Sequence, residues 1–527
     1  MGVGDGRRLH LAAGGHPRLD RRPCRGRRPY LSDERPAAVL PGPETVRGRA
    51  RVLLARPRPL RRGGVPEVTG RAFFDYYGER LFRTDLSISV GGLGSLYEHS
   101  GPIGEAERNA ARVFGAERTY FVLHGDSTCN RMVGHYSVTA DEIALVDRNC
   151  HKSVLHGLVV SGARPVYLVP TRNGFGLAGP LPSAALAPAA IAARVAANPL
   201  SAGAVSPDAS YAVVTNSTYD GLCYDTVATA RALAPSVPRL HFDEAWFAYA
   251  RFRPLYQGRY GMAVTADALP DEERPTVFAT HSTHKLLAAL SQCAMVHVRP
   301  APRAPVEHDR FNEAFMMHGT TSAFYPGIAS LDVATAMVDG PQGRWLIDEA
   351  VTEAIRFRQA VVRTGRRIAA AGDRPDWFLP APVAHHRSRY RDASLRGLCA
   401  QMHEHLTRGA FITALDEAFH DLPTPVHPPR HCYQRLVRGG TERVRLADAA
   451  GRIAAAMVTV TPPGIPVLMP GESLGAPDGP LLRYLTALEA FDRAFPGFGS
   501  EAHGVTTDPD TGDHLVECLR TRSADGP

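Results

Sequence analysis

Six short apolar runs, at residues 120–123, 143–146, 166–169, 211–215, 239–243 and 276–280, each close on a cluster of polar residues, with stretches of helical character between them. Runs this short and this apolar suit strands buried between two helical layers. Their alternation with helical segments points to an α/β fold with a mainly parallel sheet. In such sheets the functional groups collect at the carboxyl ends of the strands, where these polar clusters fall. The segments to weigh are therefore 124–128, 147–153, 243–246 and 281–285.

The last cluster, His281-Ser282-Thr283-His284-Lys285, holds one of only two lysines among the 60 basic residues; Lys152 is the other. Arginine keeps its proton and forms no imine, whereas a desolvated lysine can lose its proton and form one. An isolated lysine is ordinarily a surface residue. One placed between a strand and the apolar stretch 286–290 is expected to be buried and chemically employed. The Ser-x-His-Lys order suits an anchor for pyridoxal 5′-phosphate, with Lys285 as the Schiff-base lysine and Ser282 and His284 on the phosphate. Lys152 is the second candidate, in a turn that is more polar and therefore more exposed.

The other clusters supply matching groups. Gly125 opens a helical segment with Ser127 and Thr128, and free N–H groups at a helix start favour an anion; the same residues also serve as plain caps. Asp126 beside them has to turn its carboxylate away from a phosphate. The segment 105–114 is expected to be an amphipathic helix, with Ala106, Ala110, Val113 and Phe114 on one face. Asp243 ends the fifth run, where a carboxylate either caps the next helix or holds a ring nitrogen protonated. Its place upstream of Lys285 favours the second role. His151 can stack on a flat cofactor, although a lone histidine is more often structural.

Charge and cysteine usage narrow the class. Residues 1–65 carry sixteen arginines and five acidic residues, so the remainder is close to neutral within a total of +7. This Pro- and Gly-rich arm lacks hydrophobic periodicity and interleaved aromatics, so it reads as a disordered segment with no nucleic-acid role. No run of eighteen apolar residues appears, which argues against a membrane span. Eight scattered cysteines without a Cys-x-x-Cys pair suit reduced thiols in a cytoplasm and give no metal cage. His403 and His405, two apart, do not share a helix face for zinc.

In order along the chain, Gly94-Ser95-Leu96, the Val146-to-Ser153 segment, Pro170-Thr171-Arg172-Asn173-Gly174, Thr218-Tyr219-Asp220-Gly221, His241-to-Trp246, Ser282-to-Leu287, Pro462-to-Pro466 and Met469-Pro470-Gly471-Glu472 resemble the bacterial Orn/Lys/Arg decarboxylases. The resemblance implies an aspartate-aminotransferase-like major domain over 66–360, a linker or shortened region over 361–400 and a smaller α+β domain over 401–527. It implies decarboxylation of a basic amino acid on pyridoxal phosphate, in a homodimer or higher homo-oligomer. The implied catalytic residues are Lys285, Asp243 and His151. Gly125, Ser127, Thr128, Trp246, Ser282 and His284 join them in holding the cofactor, and Thr320, Thr321 and Glu472 are implied substrate contacts. The chain departs from the family pattern in several ways. No flavodoxin-like wing is legible in 1–65, Asp126 stands where threonine is common, and a long family segment is skipped between Phe378 and Ser394. Those departures keep two other readings open, another reaction of the same cofactor and an inactive oligomerising subunit.

Overall fold

The computed structural model describes residues 67–86, 91–173, 177–370, 394–461, 464–499 and 501–521. The basic arm and most of the skipped junction lie outside the described residues. Seven strands, β1 (Arg118–Val122), β2 (Ile143–Asp147), β3 (Arg164–Leu168), β4 (Ala209–Thr215), β5 (Arg239–Asp243), β6 (Thr276–His281) and β7 (Ala294–Arg299), form one sheet in the order β1-β7-β6-β5-β4-β2-β3. Pairs from β3 through β6 are parallel, and β7 runs against both of its neighbours. All six anticipated runs are strands, and β7 is the one that the apolar stretch after Lys285 had hidden.

Residues 67–370 also supply ten helices: α1 (Glu67–Thr84), α2 (Gly101–Phe114), α3 (Asp126–Ser137), α4 (Lys152–Ser161), α5 (Pro188–Ala197), α6 (Thr226–Leu233), α7 (Thr283–Leu286), α8 (His308–His318), α9 (Tyr325–Val338) and α10 (Pro341–Ala370). Helix α2 contains the anticipated amphipathic segment and starts four residues earlier, because Pro102 fits the first turn. It stops at Gly115, whose φ of 72° closes the helix as only glycine does without strain. Strand residues sort by parity: Ala144 and Val146 join a core with α2, α3 and α8, while Ile143 and Leu145 join a second core on the opposite face. The same parity puts Leu240 and Phe242 into the second core and turns His241 and Asp243 toward α3.

Helices α3 and α4 approach closely, since a Cβ at Gly134 would stand 3.9 Å from the Cα of Gly157. That contact brings the start of α4, with His151 as its N-cap, against α3. Helix α10 runs through residue 360, where a domain boundary was expected, because neither proline nor glycine falls between Arg344 and Thr364.

The C-terminal part adds α11 (Leu395–Arg408), α12 (Phe411–His420), α13 (Pro429–Val437) and α14 (Pro480–Ala494). Its strands are β8 (Thr441–Arg445), β9 (Val458–Thr461), β10 (Ile465–Leu468), β11 (Glu501–His503), β12 (Val505–Thr507) and β13 (His514–Leu519). They form two three-stranded antiparallel sheets, β10-β9-β11 and β12-β13-β8, packed with α12 and α14 around Val458, Leu468, Leu485 and Val516. This is the expected small α+β unit. Among the described residues no helix is long and apolar enough to cross a membrane, and no group of three or more His, Cys, Asp and Glu could hold a metal.

Candidate active site

The carboxyl ends of β2, β4, β5 and β6 converge with the starts of α3, α4 and α7. Asp243, the last residue of β5, is buried at 2% exposure. Its Oδ2 accepts from Asn130 Nδ2 at 2.8 Å and its Oδ1 accepts from the Ala245 N–H at 3.2 Å. A single bond to its own loop leaves room for a role beyond capping.

Lys285 lies in the short α7, and its Nζ stands 4.2 Å from the centroid of the Trp246 ring, a cation–π contact. The expectation of a buried lysine is not met. Lys285 is exposed, and so are Leu286 and Leu290, because α7 ends after one turn and the following residues do not continue it into the core. Lys152 is exposed too, at the start of α4. What separates the two lysines is company: Lys285 has the indole face beside it, and its charge acts on His151 and Asp126.

His151 caps α4. Its Nδ1 accepts from the Ser153 N–H at 3.3 Å and lies 2.8 Å from Ser153 Oγ. The residue is exposed overall, but desolvation of its ring holds the imidazole below its usual value against the opposing pull of Asp243, with Lys285 and Lys152 lowering it further, so the ring is neutral near pH 7.

Asp126 heads α3 and turns inward. Burial first, then the charge and hydrogen bond of Asp243, push its carboxyl well above the ordinary range. Its Oδ1 and the hydroxyl of Thr283 are buried atoms with no hydrogen-bond partner.

Gly125 is the N-cap of α3 with φ 76°, and a Cβ there would meet nothing within 4 Å. Ser127 follows in the first turn, half-buried. Thr128 does not suit the phosphate role: its hydroxyl donates to His124 O at 2.9 Å and accepts from Arg131 at 2.8 Å. A hydroxyl engaged on both sides inside the first turn is a helix-packing group. Ser282 is buried as the N-cap of α7, and its side chain makes no capping bond. His284 donates from Nδ1 to Cys293 O at 3.0 Å, which leaves Nε2 as its other ring nitrogen for an outside partner. Thr320 lines a cavity of about 230 Å³ with His124, Gln292, Cys293 and Phe324, whereas Thr321 is exposed.

Glu472 stands elsewhere in the sense that matters for a substrate. Both of its oxygens accept from Arg148 at 2.9 Å, and Oε2 also accepts from the Met469 N–H at 2.7 Å. Both side chains are almost fully buried. A carboxylate spent on a bidentate arginine has nothing left for a substrate cation, so the expected substrate contact is a structural tie instead. Asn130, whose amide donates to Asp243, is the site residue that motif reading passed over. It lies one turn beyond Asp126, the same side of α3, a spacing that could have marked it.

Family models for the Orn/Lys/Arg decarboxylase major domain and for the C-terminal domain match residues 63–385 and 412–520. The lysine decarboxylase LdcA of Pseudomonas aeruginosa is 37% identical, over 86% of this chain and 76% of its own. The biodegradative arginine decarboxylase of Escherichia coli is 33% identical, over 88% and 79%. Among solved structures, lysine decarboxylase A from Pseudomonas aeruginosa superposes with a TM-score of 0.80 at 37% identity, covering 86% of this chain and 76% of that one.

Proposed function

This chain belongs to the Orn/Lys/Arg decarboxylase family and is a lyase that decarboxylates a basic amino acid; from that premise we propose that it works on pyridoxal phosphate held at Lys285, with lysine as the first substrate to test. One juxtaposition carries this reading: a buried acceptor carboxylate, Asp243, on the strand next to the one that leads into Lys285, with a neutral His151 on the adjoining loop. The donor set fits the group. Lys285 would carry the covalent bond, Asp243 would accept from the ring N–H, and His151 would cover a ring face. Ser127, Ser282, His284 and the α3 start, where Gly125 leaves open space, would surround the phosphate. The orphaned Asp126 Oδ1 and Thr283 hydroxyl are polar atoms that a bound polar group would satisfy.

When bound, pyridoxal phosphate supplies the electron sink for the pair left behind as CO₂ departs. Asp243 would keep a proton on the ring nitrogen by presenting an acceptor that the surrounding donors hold in place. His151 keeps its ring neutral, so it covers the cofactor without adding a charge that would compete with that proton. Lys285 Nζ, as an ammonium, would be the acid that delivers a proton to the α-carbon. Trp246 holds that ammonium over an aromatic face instead of releasing it to water.

Lysine comes first because the relative at 37% identity is a lysine decarboxylase, against 33% for an arginine decarboxylase. The same reading assigns a homodimer. Leu286, Leu290, Met317 and Phe324 are exposed apolar side chains that a second copy would cover. The test is borohydride reduction of the protein loaded with pyridoxal phosphate, peptide mapping of the labelled lysine, and CO₂ release from lysine, ornithine and arginine. Label on Lys285 with CO₂ from one of the three is the expected result. Label on Lys152 alone, or transamination products without CO₂, overturns the reading.

A further inference from the structure

Behind Asp243 lies a buried line of polar side chains that packing alone does not require. Tyr211 Oη is 2.7 Å from His241 Nδ1, His241 Nε2 is 3.1 Å from Thr280 Oγ1, and Thr280 Oγ1 donates to Asn130 Oδ1 at 3.0 Å. Asn130 Nδ2 donates both to Asp243 Oδ2 at 2.8 Å and to Ser153 Oγ at 3.0 Å. All of these side chains are 2% exposed or less. The parity of the strands dictates the line: His241 and Asp243 are two apart on β5, Asp243 stands opposite Thr280, and His241 stands opposite Val213, two residues from Tyr211.

With the Thr280 hydroxyl donating to Asn130, the hydrogens in this line take one consistent order. A carboxylate can only accept, so Asn130 must give its NH₂ to Asp243 and Ser153 and keep its oxygen for Thr280. Thr280 spends its one proton on that oxygen and therefore accepts from His241 Nε2–H. The remaining ring nitrogen, Nδ1, must then accept from Tyr211. Burial pulls His241 down to about 4, consistent with the neutral ring this order needs. On the other branch, Ser153 accepts from Asn130 and so donates to His151 Nδ1, which also receives the Ser153 N–H. That leaves the His151 proton on Nε2.

We propose that Tyr211, His241, Thr280 and Asn130 are positioning residues that form a one-way donor chain, fixing Asp243 as an acceptor and, through Ser153, fixing the tautomer of His151. The proposal rests on the cofactor reading above and adds to it a common control point. Asn130 is the fork: the same amide sets the group beneath the ring nitrogen and the group covering the ring. Asp126 hydrogen-bonds Asp243 and also meets the Thr280 hydroxyl, so it flanks the chain; Cys129, Asp147 and Cys150 are further titratable groups that feel the Asp243 charge, and Lys285 is the cation that acts on Asp126.

The test uses the holoenzyme and two variants that each remove one hydroxyl, Thr280→Val and Tyr211→Phe, with Thr280→Ser as the rescue. Loss of the Thr280 hydroxyl leaves the Asn130 oxygen without a donor, so the amide can turn and withdraw from Asp243. Loss of the Tyr211 hydroxyl frees His241 to move its proton to Nδ1, and Thr280 then turns to His241 instead of Asn130. Visible absorbance of the bound cofactor is titrated against pH and kcat and KM are measured, with circular dichroism and Tm as folding controls. The expected result is a displacement of the absorbance transition by about one pH unit in both variants, equivalent to one hydrogen bond to a charged group. A fall of about tenfold in kcat with KM little changed accompanies it, and Thr280→Ser restores both. If Thr280→Val does not fold, Tyr211→Phe at the far end of the chain decides. Folded variants that lose Tm but keep the parental absorbance profile and kcat would make the line a structural feature and overturn the proposal. Absence of borohydride label on Lys285 in the parent protein would instead sink the cofactor reading itself, so the two failures are separable.

Discussion

The ends of β2 and β5 share a sequence signal and differ in what the fold makes of it. Each strand runs apolar into a buried aspartate followed by a second charged residue, Asp147-Arg148 in one case and Asp243-Glu244 in the other. At β2 both charges are consumed by the chain. Asp147 accepts from the Asn149 and Thr215 N–H groups, at 2.9 and 3.2 Å, while Arg148 grips Glu472 and Val467 O of the C-terminal part. At β5 only the second charge is consumed, since Glu244 accepts from Asn216 and Gly261 and meets His281. Asp243 takes a single backbone bond and otherwise faces side chains of the site. A buried carboxylate bound by its own loop is scaffolding, whereas one held by other side chains is free to meet a ligand.

The largest effect that would break this contrast is at the β2 end. Glu472→Gln leaves Arg148 buried without its countercharge, a change that typically costs about 3–5 kcal/mol. Urea unfolding should show that loss; a midpoint unchanged from the parent would remove Glu472 from the scaffold and return it to the list of substrate contacts. At the β5 end, Asp243→Asn should leave unfolding within about 1 kcal/mol of the parent and cut kcat by roughly 10²- to 10³-fold, the range for losing one preorganised electrostatic contact. Steady-state CO₂ release measures it, and equal losses of stability and rate would erase the distinction between the two aspartates.

The third effect sharpens the comparison through pH. Burial pushes Asp147 up to about 7, with the two backbone bonds opposing. The folded state thus keeps a proton that the unfolded chain releases near 4, and stability from this site falls as pH rises from about 4 to about 7. Asp147→Asn does not titrate and loses one of the two accepted bonds, so it should be destabilised by about 1–3 kcal/mol at pH 5 and by less at pH 8. A difference that grows with pH would reverse the sign and exclude Asp147 as its source. Smallest is Lys152→Arg, exposed at the start of α4, for which stability should move by no more than about 0.5 kcal/mol and the borohydride label should stay on Lys285.

Much of the architecture was legible because period and punctuation agree. Short apolar runs separated by helical segments marked six of the seven strands, and the polar clusters marked their carboxyl ends. Strand β7 escaped because the loop between α7 and β7, with its scattered leucines, masks the return. Within the site, Lys285, Asp243 and His151 stood out at or just past strand ends, and the fold brings them close enough for the charges of Asp243 and Lys285 to act on His151. Thr128 and Glu472 were misplaced for one reason: a sequence shows which groups can accept or donate but not which partner reaches them first. Arg131, three residues along, occupies Thr128, and Arg148, 324 residues away, occupies Glu472.

By itself the sequence determined the α/β layer, the strand ends that carry function and the residue types available there, since side-chain parity and turn chemistry are local properties. Tertiary structure decided which buried groups are spent. Satisfying a buried polar atom is a contest among neighbours brought from distant parts of the chain, and its outcome depends on distances that only packing fixes. For that reason Asn130 becomes the fork beneath Asp243, Glu472 becomes a tie between the two halves of the fold, and Lys285 stands exposed beside Trp246 at the mouth of the site.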